Sequence, residues 1–246
     1  MSIIFCMILV LAALSFSSQI DKIQVTKDIQ LIQLHDHFYQ HTSWFEFPQF
    51  GRAPSNGLIF IKNGRALLID TPNTNEQMKK LYRFVQDSLN ATIETVIVGH
   101  SHSDCIGGLE FLHKMGVKSI CGDKTRQICF SENLPVPTET FRDSLIFNFE
   151  DEKVEYRYFG GGHSVDNIVV YFPESNTLFG GCLVKSLASK GLGNIAEADI
   201  DYWENTVEKV KSMWPSVRLV IPGHGAAGDA QLLDHTINLV KQHKLR

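Results

Sequence analysis

Thr95-Val96-Ile97-Val98-Gly99-His100-Ser101-His102-Ser103-Asp104 decides the reading of this chain. Four strand-forming residues run straight into two imidazoles and a carboxylate at spacing two. Just past a strand, that spacing sends alternate side chains the same way. Immediately upstream, residues 57–61 and 66–69 flank Lys62-Asn63-Gly64-Arg65, a hairpin with an Asn-Gly turn signal. Residues 72–89 then carry Met78, Leu81, Tyr82, Val85 and Leu89 at helical spacing. The same order returns later. Residues 167–172 and 177–179 make a hairpin, and 200–214 an amphipathic helix. A strand at 218–221 then ends in Pro222-Gly223-His224. Hairpin, helix, strand and terminal histidine occur twice. Two β-rich halves with helices outside predict an α/β fold, a four-layer αββα sandwich whose site lies where the strands end. Further upstream, 29–36 reads as a strand and 41–56 as a loop rich in aromatics, Gly and Pro.

The composition of the 246 residues, with 43% hydrophobic and 20% charged, excludes disorder and coiled coil. A net charge of −4 without a Lys/Arg stripe argues against a nucleic-acid partner. Residues 1–18 stand apart. Ile3 to Leu14 is almost wholly apolar, and small residues suited to cleavage come after it. The run is short for a membrane span and reads as a secretory signal peptide, although its start lacks Lys and Arg. A retained interfacial anchor is the alternative. Residues 19–246 are then one catalytic domain, soluble, exported to a periplasm in a Gram-negative host, and monomeric by default. Cys105, Cys121, Cys129 and Cys182 remain, enough for two disulfides. With Cys182 committed elsewhere, Cys121 and Cys129 are the nearest pair for one bridge, and Cys105 is a free thiol.

The chemistry gathers at strand ends. Besides His100, His102 and Asp104, His163 follows Gly160-Gly161-Gly162, Cys182 follows Gly180-Gly181, and His224 sits between Gly223 and Gly225. Nitrogen, sulfur and carboxylate donors in this mixture suit zinc. The remaining six histidines (His35, His37, His41, His113, His235 and His243) read as surface or hydrogen-bonded residues.

With these segments in hand, the chain resembles the subclass B1 metallo-β-lactamases over nearly its whole mature length. The matching segments are His100 to Asp104 with Gly107-Gly108, Gly162 to Asn167, Gly180 to Lys185, Gly191-Leu192-Gly193-Asn194 and Pro222 to His224. The wider hydrolase superfamily normally has Asp where Cys182 stands and commonly His where Cys105 stands. The resemblance implies that His100, His102 and His163 hold one zinc, and Asp104, Cys182 and His224 a second. It implies hydrolysis of penicillins, cephalosporins and carbapenems by a metal-bound hydroxide, with no acyl-enzyme. Asn194 would polarise the lactam carbonyl, and Lys185 would bind the substrate carboxylate. Trp44, with Phe45 and Phe47, would form a flap over apolar substrate groups; the alternative is that these aromatics join the core. Asp70 either orients a ligand or water from outside the metal shell or is an Asx-turn carboxylate before Pro72. A glyoxalase-like thioesterase would share the fold but carry Asp at 182 and His at 105. A non-catalytic zinc-binding module would close its sites with four protein ligands, whereas each set here offers three.

Overall fold

The computed structural model describes residues 22–48 and 51–246; the signal segment 1–18 lies outside the described residues. Two sheets face each other. The first runs in spatial order β1 (Lys22–Thr26), β2 (Ile29–His35), β3 (Phe38–Phe47), β4 (Gly51–Lys62), β5 (Arg65–Ile69), β6 (Thr92–Val98), β7 (Lys118–Gly122) and β8 (Glu139–Phe141). The second is ordered β13 (Leu219–Pro222), β12 (Thr177–Gly181), β11 (Val169–Phe172), β10 (Glu152–Arg157) and β9 (Ser144–Phe149).

Alternation along the strands builds the layers, because neighbouring side chains point to opposite faces. Leu58, Phe60, Leu67, Ile69 and Ile97 face Val154, Tyr156, Val170, Phe172, Phe179 and Ile221 between the sheets. Their neighbours Ile59, Ala66, Leu68, Val96 and Val98 turn outward. There they meet Met78, Leu81 and Val85 of α1 (Asn75–Ser88), and Leu109 and Leu112 of α3 (Leu109–Lys114). Across the molecule, Val169, Leu178 and Val220 pack on Trp203, Val207 and Val210 of α5 (Ile200–Met213) and on Leu232, Leu233 and Val240 of α6 (Gln231–Lys244). This is the predicted four-layer sandwich.

The repeated order also holds. β4, β5, α1 and β6 lead to His100, while β11, β12, α5 and β13 lead to His224. In each unit the helix crossover makes the flanking strands parallel, β5 with β6 and β12 with β13. The Thr74 hydroxyl caps α1 by accepting from Gln77 N, so the helix begins three residues after Pro72.

The expected loop at 41–56 is a correction. Residues 41–47 lie in β3 and 51–56 in β4, which pair antiparallel in register from Phe38↔Phe60 to Phe47↔Gly51. Buried polar residues (Gln40, Thr42, Ser43, Ser55 and Asn56) hide the usual apolar alternation. They satisfy one another across the strands: Gln40 Nε2 and the Thr42 hydroxyl both donate to Asn56 Oδ1. Pro54 is tolerated because β4 pairs with β5 only from Leu58 onward, leaving Pro54 one strand neighbour, β3.

Candidate metal centre

β6 ends at Val98, and Asp70 shapes the turn from Gly99 into His100. The Asp70 φ of 58° bends the chain sharply after β5, and its Oδ1 accepts from Gly99 N at 2.6 Å. A Cβ at Gly99 would lie 2.9 Å from the Asp70 carboxylate, so only glycine allows this approach. Burial pushes the Asp70 carboxyl up to about 7, opposed by the Gly99 N–H and a hydrogen bond with Cys105. The Cys105 sulfur in turn lies 3.0 Å from His100 Nδ1. Asp70 thus sits behind the site, its carboxylate engaged by Gly99 N and Cys105 placed between it and His100.

His100 Nε2 and His163 Nε2 approach His102 Nδ1 at 2.9 and 3.2 Å. The far nitrogen of His102, Nε2, lies 2.8 Å from the Glu197 carboxylate, which accepts its N–H and holds Nδ1 toward the other two rings. Burial pulls His100 down to about 4 and His163 well below the ordinary histidine range. These two rings are therefore neutral at pH 7. Three imidazole nitrogens, two of them on neutral rings, converge on one point, an arrangement a cation satisfies. Asp166 ties the two loops together, its Oδ2 accepting from Ser101 N at 2.9 Å.

A second set lies alongside. Cys182 Sγ is 3.4 Å from both Asp104 Oδ2 and His224 Nε2, and His224 Nε2 is 3.5 Å from Asp104 Oδ2. His224 Nδ1 is turned to the Pro54 carbonyl at 2.7 Å, which aims Nε2 at Cys182 and Asp104. A Cβ at Gly223 would lie 2.4 Å from Cys182 Sγ, so glycine lets the two ligand turns touch. Burial pushes the Asp104 carboxyl up, but His100, His224 and His102 outweigh it and hold it below the usual range. Burial and Asp104 push the Cys182 thiol well up. The protein alone leaves this sulfur protonated; a bound cation would supply the charge that makes it a thiolate. In each set the ligand atoms lie within 4.8 Å of one another. The donors fit two ions of the zinc type.

Lys185, Asn194 and Trp44 are not among the convergent donors. Lys185 is only 7% exposed, with its ammonium 5.1 Å over the Trp203 ring and no carboxylate partner. Burial lowers its pKa. Asn194 is exposed on the loop before α5, its Oδ1 accepting from Ala196 N. Trp44 is half-buried on β3 beyond the reach of β5, under the Arg52 guanidinium at 5.9 Å, and belongs to none of the three core clusters. Neither Asn194 nor Trp44 hydrogen-bonds to any of the six convergent groups. All four described cysteines are free, so the one bridge the sequence left open, between Cys121 and Cys129, is absent. Both of these are buried in the layer between β7 and the helices, packed as small apolar side chains.

Sequence reasoning missed Glu197, Pro54 and the Asp70–Cys105 link. The Pro54–His224 contact spans 170 positions and the Glu197–His102 contact 95, and no local pattern announces either.

A family model described as the metallo-beta-lactamase superfamily matches residues 51–224. A protein of Bacteroides fragilis named metallo-beta-lactamase type 2 is 40% identical over 99% of this chain and 97% of its own. One of the same name from Bacillus cereus is 36% identical over 88% of this chain and 84% of its own. The crystal structure of VMB-1 superposes with a TM-score of 0.84 at 35% identity, covering 89% of this chain and 99% of that one. The structure of TMB-1 gives the same TM-score at 32% identity, covering 89% and 100%. With the fold, the two donor sets and these relatives in agreement, the chain belongs to the metallo-β-lactamase superfamily and is an enzyme of it.

Proposed function

We propose that this enzyme hydrolyses the β-lactam amide of penicillins, cephalosporins and carbapenems with two zinc ions, and so confers antibiotic resistance. The observation that carries the reading is the convergence of His100, His102 and His163 beside Asp104, Cys182 and His224. The first set would hold one zinc and the second the other. Bound there, zinc supplies Lewis acidity and a water nucleophile active near neutral pH.

The chain's own residues do the rest. Asp104, whose carboxyl lies below the usual range and is anionic at pH 7, reduces repulsion between two adjacent cations. The Lys185 ammonium, buried and without a carboxylate partner, receives the carboxylate that sits beside the lactam nitrogen. Asn194, on an exposed loop, donates its amide N–H to the carbonyl oxygen as that oxygen gains charge. Trp44, on the projecting β3–β4 hairpin, covers apolar substituents. No Ser-x-x-Lys sequence of the serine enzymes is present, in keeping with direct attack by water.

Export through residues 1–18 to the periplasm completes the proposal, supported by the apolar run and the small residues after it. Among the described residues no helix is long and apolar enough to cross a membrane. All six donors come from one chain, so a monomer suffices.

The test is zinc content measured together with hydrolysis of a chromogenic cephalosporin, with and without chelator, beside a glutathione thioester. Two zincs per chain and chelator-sensitive cephalosporin cleavage are expected. A zinc-loaded protein that cleaves the thioester and spares the cephalosporin would overturn the reading.

A further inference from the structure

We infer that Asn56 is a positioning residue for the second metal site, its side-chain amide clamping both flanks of the turn that presents His224. The inference rests on the assignment of Asp104, Cys182 and His224 as that site.

Asn56 lies on β4, is 3% exposed, and touches no proposed ligand side chain by a hydrogen bond. Its Nδ2 donates to Pro222 O at 2.9 Å and to Gly225 O at 2.7 Å. Its backbone N–H donates to Gly223 O at 2.8 Å. Three carbonyls around His224 are thus held by one residue. On its other side, Oδ1 accepts from Gln40 Nε2 at 3.0 Å and from the Thr42 hydroxyl at 2.8 Å. Two donors and two acceptors in one plane are what an amide offers, and here all four are used.

The consequence is local. Two residues before Asn56, Pro54 O receives His224 Nδ1, so one short segment of β4 fixes both the turn and the ring. Gly223 packs directly against Cys182, so a shift of the turn displaces two of the three donors. Asn56 makes no hydrogen bond to His100, His102 or His163. Loss of the clamp should therefore weaken one site and spare the other.

Asn56→Asp tests this with nearly unchanged shape, because a carboxylate sets oxygen against the Pro222 and Gly225 carbonyls and donates nothing. Cobalt(II) is titrated into the metal-free protein, and the near-ultraviolet thiolate-to-cobalt absorption reports Cys182 at the second site. In Asn56→Asp the second cobalt should bind roughly 10- to 100-fold more weakly, the range for changes just outside a metal's ligands. The thiolate band should fall with it, while the first cobalt binds as in the parent. Circular dichroism of the metal-free variant checks the fold. Asn56→Ser, smaller and keeping one donor, serves if the aspartate variant does not fold, and should show the same selective loss to a lesser degree. Parental second-site binding in a folded variant, equal weakening of both sites, or failure of both variants to fold would overturn the inference. A parent lacking the thiolate band would instead sink the Cys182 assignment, and this inference with it.

Discussion

Glu197 Oε2 accepts from His102 Nε2 at 2.8 Å, joining the exposed loop that carries Asn194 to one of the three convergent imidazoles. A carboxylate on the outer nitrogen fixes the ring's tautomer and orientation and raises its basicity as a ligand. Glu197→Ala should weaken the first metal by about 10-fold, the lower end of the usual range because Glu197 is largely exposed. Glu197→Gln, which still accepts the hydrogen bond, should weaken it less. Chelator competition measures both. Parental affinity in Glu197→Ala would reduce the contact to a surface ion pair.

Cys182→Ser should remove the second ion while leaving the first. Sulfur is a strong zinc donor and a neutral hydroxyl a poor one. The second-site affinity should therefore fall by more than the ~100-fold reached by changes outside the ligand shell. Zinc counted after dialysis should drop from two toward one, with hydrolysis cut strongly and the circular dichroism spectrum unchanged. Two retained zincs with full activity would contradict the ligand assignment.

Lys185 is held rather than free, its ammonium buried over Trp203. A charge-assisted hydrogen bond contributes about 1.5–3 kcal/mol, so Lys185→Ala should lower kcat/KM by roughly 10- to 100-fold. A carboxylate is bound in ground and transition states alike, so most of the loss should appear in KM. Lys185→Glu should be worse, with zinc content unchanged in both. If Lys185→Glu matches the parent in steady-state kinetics, the substrate carboxylate is bound elsewhere.

His41 gives the metal-free protein a pH-dependent stability away from the ligands. The ring is 1% exposed, and burial pulls its pKa to about 4 against a hydrogen bond to the Asp70 carbonyl. A histidine neutral when folded takes up its proton more readily when unfolded. Its contribution is therefore fully present above about pH 6.5 and is lost as pH falls toward 4. The loss amounts to about 3 kcal/mol by pH 4 and flattens below it. Denaturant unfolding at pH 7 and pH 4 should show the parent losing that much more stability than His41→Gln over the interval. Parallel pH profiles would show that His41 is protonated in the folded state.

The sequence by itself determined the layers and the identity of the convergent donors. Continuous apolar runs at 58–61, 66–69 and 96–98 specify strands buried on both faces, and the helical period of Met78, Leu81 and Val85 specifies what covers them. His100, His102, Asp104, Cys182 and His224 were legible because each lies beside a strand end or among glycines, where local sequence dictates geometry. Tertiary structure alone decided the rest. Residues 41–47 and 51–56 became paired strands because their polar side chains find partners across β3 and β4, which no periodicity reveals. Cys121 and Cys129 are free thiols packed in the apolar layer between β7 and the helices, a placement that spacing along the chain does not reveal. Glu197, Pro54 and Asn56 acquired their roles only when distant segments met. A hydrogen bond needs its partner within about 3 Å in space, and separation along the chain carries no information about that distance.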